Sequence, residues 1–227
     1  MTAPMFGISA FLKLVSLNPR PQRTEIRRRL SKRKAGGYDF HKSLRELAHD
    51  HLVDGMSLED VLAKAGEIVR EPERKSAVAG LETLGDWRRV HLGTILHFAP
   101  VTFESPGKFF RVQFTPNFGL EIGAAKVATH IWNTKSVDLD QRMTYAALSL
   151  FPELYASHDA RPDDLGVLSL PDSALYRLSE AGDYSEVGRR LVRRLDDLFN
   201  EVSHEDERPS APKRKPRPTP PPPSGSR

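Results

Sequence analysis

From Tyr38 to Trp87 the apolar residues recur three and four positions apart. Leu44, Leu47, Ala48 and the His51–Leu52 pair form one stripe, and a second run opens at Ser57, whose hydroxyl suits a helix N-cap. That block is predicted to be helical. From Thr94 to Trp132 the period falls to two: Phe110, Val112 and Phe114 alternate with Arg111 and Gln113, and Ser105-Pro106-Gly107 separates two strand-like runs. A sheet is predicted there. After Lys135 a helix is predicted to run to about Phe151, and "DDLGVLSLPDSALYRL" reads as a strand pair. "SEVGRRLVRRLDDLFNEV" closes the pattern as an amphipathic helix with Leu191, Leu195, Leu198 and Phe199 on its apolar side.

Helices, then a meander, then helix, strand and helix, without regular alternation and without a repeat, predict an α/β protein in the α+β arrangement: a mixed sheet flanked by helices. A chain of 227 residues, 38% hydrophobic and 28% charged, holds one such core. The boundaries are drawn at 1–36 for an N-terminal segment with a basic arm, 37–203 for the domain, and 204–227 for a basic, proline-rich tail. From Arg208 onward the tail has almost no apolar content, so it cannot offset the entropy of ordering and is expected to be disordered.

Charge adds a direction. The net charge is +4, a mild bias toward anionic partners. Arg20, Arg23, Arg27, Arg28, Arg29, Lys32, Arg33 and Lys34 crowd one segment that holds a single acid, Glu25; this is either a solvated helix or a nucleic-acid-binding patch centred on Arg27–Lys34. Lys213, Arg214 and Lys215 in the tail are further cations. The absence of cysteine excludes disulfides, thiolate metal sites and thiol catalysis, and suits a reducing, cytoplasmic setting. "MFGISAFLKLVSL" carries Lys13 inside its apolar run and fails as a signal peptide or membrane span, so no membrane association is expected.

Few motifs carry chemistry. The chain has no Gly-x-x-x-x-Gly-Lys loop, no His-Glu-x-x-His helix and no Gly-x-Ser-x-Gly elbow. His49 and His51 are two apart and share no helix face, His91 and His97 stand alone, and His130 alternates with Trp132 as a packing or surface residue. "DLDQ" reads as a capping box from Asp138 to Gln141, and Tyr145 falls on the same helix face as Gln141.

One combination goes further. Asn133-Thr134-Lys135 ends a strand, a Gln141-x-x-x-Tyr145 helix follows, Pro116-Asn117 lies on the strand before, and Gly37-x-x-x-His41 with Leu44 lies further upstream. In order and spacing this resembles the RecB-like branch of the PD-(D/E)XK nuclease superfamily, across roughly Gly7 to Tyr155. "ISAFLKLVSLNPR" is similar to that family's opening segment, with Asn18-Pro19 in place of Cys-Pro. The resemblance implies a restriction-endonuclease-like core with His41, Asn117, Asn133, Lys135, Gln141 and Tyr145 at the former active site.

The departures decide the reading. Where the family has Pro-Asp and Glu-x-Lys, both metal-binding acids are amides, Asn117 and Asn133. Mg²⁺ is a hard cation normally held through carboxylates, and without it Lys135 has no metal-activated water to serve. The implied protein is a pseudo-nuclease with no cofactor, a remnant Lys135, and a groove that binds DNA, RNA or a protein partner. One alternative is an active Mg²⁺-dependent nuclease using a displaced carboxylate, with Glu121 and His41 as metal ligands and Asp39, Glu46, Asp138 or Asp140 in reserve. Another is an α+β interaction module unrelated to nucleases.

Overall fold

A computed structural model describes residues 3–31 and 38–207. Lys32, Arg33, Lys34, Gly37 and the tail from Arg208 onward lie outside the described residues. The order is β1 (Met5–Gly7), α1 (Ile8–Ser16), α2 (Pro19–Ser31), α3 (Lys42–Leu52), α4 (Leu58–Gly66), α5 (Glu71–Val90), β2 (Ile95–Leu96), β3 (Val101–Glu104), β4 (Arg111–Phe114), β5 (Phe118–Ile122), β6 (Ala125–Trp132), α6 (Gln141–Leu148), β7 (Asp164–Ser169), β8 (Ala174–Arg177) and α7 (Ser185–Glu207). The fold is α+β, with mixed sheets flanked by helices.

The sheets read β1-β4-β3 and β2-β5-β6-β7-β8. In the larger sheet β5 and β6 form an antiparallel hairpin, β6 and β7 run parallel through the α6 crossover, and β7 and β8 are antiparallel. Gly123, at φ 61°, opens the two-residue turn from Ile122 to Ala125, a backbone conformation that costs glycine little. All six residues of β7 and the last six of β6 are buried. These parallel strands are covered on both faces and are mainly apolar, with Thr129, His130, Asp164 and Ser169 as buried polar exceptions.

Two cores lie on the two sides. Ala128 and Trp132 of β6 and Leu165 and Val167 of β7 join Phe6, Phe11, Phe110, Phe114 and Phe199 in one. Ile131 and Leu168 join Phe118, Leu120, Leu44, Ala48, Leu81 and Trp87 in the other, under α3, α4 and α5. The described part of the 1–36 segment is built into the first core rather than preceding it: β1 pairs parallel with β4, and Phe11, Leu12 and Leu14 are fully buried. On α7 the fully buried stripe is Val192, Leu195, Phe199 and Val202, with Leu191 and Leu198 packed at its margin.

Local chemistry sets the helix ends. Ser57 caps α4 by accepting from Asp60 N at 3.1 Å, as its position predicts. The α6 cap differs from the sequence reading: Asp140, not Asp138, accepts from Met143 N at 2.9 Å, and Gln141 is the first helical residue. The capping-box reading is therefore corrected, since Gln141 turns forward to Tyr145 instead of back to a cap. The helix is also shorter than predicted, ending at Leu148 before a 3₁₀ turn over Pro152–Tyr155. Among the described residues no helix is long and apolar enough to cross a membrane.

Candidate functional site

In open sheets, ligands collect beyond the carboxyl ends of parallel strands. Here that is the end of β6 and β7, toward which the start of β5 also points. Phe118 pairs with Thr129, so Asn117 lies beside His130 on the neighbouring strand. Asn117 N donates to Thr129 O at 2.8 Å, and Asn117 Oδ1 accepts from Ile131 N at 2.7 Å.

His130 is 5% exposed. Its Nδ1 lies 3.1 Å from Thr115 O, and a carbonyl only accepts, so Nδ1 carries the proton. The bare Nε2 then accepts from the Ser9 hydroxyl at 2.6 Å. Burial pushes the His130 pKa down to about 4, with Arg45 adding to the shift and the Thr115 bond and Asp39 opposing it. The imidazole is neutral at physiological pH.

His41 is the residue just before α3. Its Nδ1 is buried with no hydrogen-bond partner, and its ring meets the Phe40 ring edge-on at 5.0 Å. Burial lowers its pKa, then Arg45 and Lys13 lower it further against Asp39, which pairs with Arg45. Lys13 is exposed on α1 four residues after Ser9, so the two share a helix face. Ser9, Lys13, Asp39, His41, Arg45, Asn117 and His130 thus form one polar neighbourhood.

Asn133 turns elsewhere. It sits three residues past His130, about 10 Å along the strand, and its Nδ2 donates to Ser76 Oγ at 3.1 Å and to Ser76 O at 3.3 Å on α5. Gly80 leaves room for it, because a Cβ there would lie 3.1 Å from Asn133 Nδ2. Lys135 is exposed in the bend after β6. Gln141 Nε2 donates to the Tyr145 hydroxyl at 2.9 Å, and the Tyr145 ring packs on Tyr184 at 5.4 Å, so the Gln-x-x-x-Tyr pair is joined within its own helix.

The displaced-carboxylate set fits a dication poorly. Glu121 pairs across the hairpin with Lys126, seven residues from Asn133, or about 23 Å along β6. Glu121, named above as a displaced metal ligand, thus stands at the opposite end of the strand from His130 and Asn133. Asp39 is paired with Arg45, Glu46 with Lys42 at 3.4 Å, Asp140 caps α6, and Asp138 is exposed. Among the described residues no group of three or more His, Asp or Glu side chains could hold a metal ion. Both amides at the positions where the resembled family has acids are engaged in internal hydrogen bonds.

The α2 cations are engaged. Arg23 bonds Glu201 at 2.9 Å and Glu205 at 2.7 Å, Arg27 bonds Glu205 at 2.7 Å, and Arg28 and Arg29 pair with Glu25. The Arg29 guanidinium also lies over Phe6 at 5.2 Å. Glu25 is therefore not the only acid facing this segment.

Sequence reasoning missed Ser9, Lys13 and Arg45, and read His130 as a packing or surface residue. Nothing local marks Ser9, since its partner is 121 residues away. The other histidines also have neighbours: His91 stacks on Trp87 at 4.2 Å, and the rings of His97 and His49 are 6.5 Å apart.

No protein-family model and no curated protein matches the chain. Among solved structures, one described as the crystal structure of SSO0001 aligns over 86% of each chain at 14% identity with a TM-score of 0.32, a likeness too loose to carry an argument.

Proposed function

We propose that the chain is a catalytically degenerate relative of the RecB-like PD-(D/E)XK nucleases that binds nucleic acid without cutting it. The supporting observation is the use made of the two amides. Asn133 serves as a hydrogen-bond donor to Ser76, a role an ionised Asp or Glu cannot fill, and Asn117 fastens the β5–β6 pair through Ile131. With those acids gone, a phosphate meets Lys13, Arg45 and Lys135 without fixed negative charge at the amide positions, and contacts to phosphate supply sequence-independent affinity.

The test is fluorescence anisotropy with labelled single- and double-stranded DNA and RNA across a salt series, beside a digestion assay with Mg²⁺ or Mn²⁺. The expected result is binding that weakens steeply with salt, a shallower salt slope for Lys13→Glu and Lys135→Glu, and intact substrate. Absence of salt-sensitive binding, or metal-dependent cleavage, overturns the reading. A protein partner is the second reading, favoured by Val90 and Leu92, which stand 76% and 80% exposed close together at the end of α5.

A further inference from the structure

A separate cavity of about 460 Å³ lies between the start of α3 and the α4–α5 loop, lined by Tyr38, Lys42, Ser43, Val69, Arg70 and Glu73 among others. Its size is that of a small-ligand pocket. Glu73, only 6% exposed, accepts from the Tyr38 hydroxyl on one carboxylate oxygen and from the Ser43 hydroxyl at 2.7 Å on the other. Both donors are neutral, and among the described residues Glu73 has no ion-pair partner. Each oxygen keeps a further lone pair, so the carboxylate can still accept two parallel N–H bonds.

The walls select what brings those donors. Tyr38 is 58% exposed, and the Arg70 guanidinium lies over its ring with Cζ 4.1 Å from the centroid. Two common chemistries present paired N–H donors to a carboxylate: a guanidinium, and the N1–H and 2-amino edge of guanine. Asp39 and Glu67 also line the cavity, but Asp39 is paired with Arg45, and a guanidinium ligand would have to compete with Arg70 for a ring face that already holds one. A neutral planar base instead gains from both sides, stacked on Tyr38 below and under the Arg70 plane above. Adenine and cytosine place an acceptor beside their amino group, which would face the Glu73 oxygens and be repelled. Lys42, paired only with the exposed Glu46, is free to turn to a phosphate. Arg70 is itself exposed, so its guanidinium is not packed in place and can give way to an inserted base.

We infer that this cavity is a guanine-binding pocket, stacking the base between Tyr38 and Arg70 and reading its N1–H and 2-amino edge with Glu73. The base can belong to a free guanine nucleotide or to an unpaired residue of a strand. Calorimetric titration of the full chain with GMP, IMP and AMP at fixed salt tests it. GMP should bind at least tenfold more tightly than IMP, which lacks the 2-amino group, and than AMP. Tyr38→Ala, confirmed folded by circular dichroism, should weaken GMP at least tenfold, and Glu73→Gln should bring the GMP and IMP affinities together. If Glu73→Gln fails to fold, Tyr38→Ala and Arg70→Ala still decide the matter.

Competition with short single strands identifies the source: a guanine-containing strand that outcompetes GMP assigns the base to nucleic acid, and equal affinity assigns it to the free nucleotide. Equal binding of GMP and AMP, no binding of either, or full GMP affinity in Tyr38→Ala overturns the inference. Because GMP, IMP and AMP carry the same phosphate, the preference among them reads the base pocket, and its failure is distinguishable from a failure of the salt-sensitive binding proposed above.

Discussion

Ser9 Oγ lies 2.6 Å from His130 Nε2, joining the first turn of α1 to the central strand β6. Burial around this pair disfavours the charged imidazole, and this gives stability a pH dependence. The folded pKa, about 4, lies below the ordinary value of 6.5, so the unfolded chain takes up the proton first as pH falls. The stabilisation is complete above pH 6.5 and is lost between 6.5 and about 4. It amounts to roughly 3 kcal/mol in all and roughly 2 kcal/mol between pH 7 and 5. His41, also lowered, acts in the same direction. Urea unfolding at pH 7 and 5 should show this loss in the native chain and much less of it in His130→Gln. Equal losses in both would remove His130 as the cause.

Restoring an acid at Asn133 should cost stability and return no activity. Asn133→Asp replaces the donor facing Ser76 O and Oγ with a carboxylate, so the Ser76 carbonyl gains a repulsive neighbour and a charge is placed at a 5%-exposed position. The expected penalty is about 1–3 kcal/mol by urea unfolding. The Asn117→Asp/Asn133→Asp pair should remain without Mg²⁺-dependent cleavage of labelled DNA, because one side chain is tied to Ile131 N on β6 and the other to Ser76 on α5. Cleavage by the double variant would reinstate a latent active site.

Periodicity made the helices α3 to α5, the β3–β4 and β7–β8 hairpins and α7 legible, since their signals repeat within a few residues. The β1–α1 unit was not. Met5–Gly7 is only three residues long and pairs with Arg111–Gln113, so its strand character comes from a distant partner and no local pattern announces it. The α6 cap failed for another reason. Two aspartates two residues apart both satisfy a capping rule, and only the backbone decides that Asp140 reaches the Met143 amide. At the site, Asn117, His41 and Gln141–Tyr145 were marked by spacing. Their partners Ile131, Lys13 and Arg45 carry no motif, and the acids that meet the α2 arginines lie almost 180 residues downstream.

Asp164 anchors the other end of the sheet. Its Oδ1 accepts from Leu165 N at 2.8 Å and Ser179 N at 3.0 Å, and its Oδ2 accepts from Arg177 Nε at 2.9 Å and the Ser179 hydroxyl at 2.5 Å. The carboxylate is 3% exposed and the Arg177 side chain 18%, so truncating the acid leaves a largely buried guanidinium with only the exposed Glu180, at 3.4 Å, as its counter-charge and orphans the amides of Leu165 and Ser179. Asp164→Ala should cost about 3–5 kcal/mol in guanidinium unfolding, more than any single exposed pair. A loss no larger than that of a surface substitution would show that water replaces the carboxylate freely.

The α2–α7 ion pairs should behave oppositely. Glu205 accepts from Arg23 and Arg27, which lowers its pKa, yet all three side chains are more than one third exposed. Such pairs are largely offset by side-chain entropy and screened by salt. Glu201→Gln/Glu205→Gln should barely move the melting temperature, and the small shift should vanish at high salt. The same double variant removes two negative charges beside Arg23 and Arg27. If those arginines face phosphate in the complex, its affinity for single-stranded DNA at low salt should rise severalfold in anisotropy titrations, with a steeper salt dependence. Unchanged affinity would assign the α2 cations to holding α7 and leave phosphate contact to Lys13, Arg45 and Lys135.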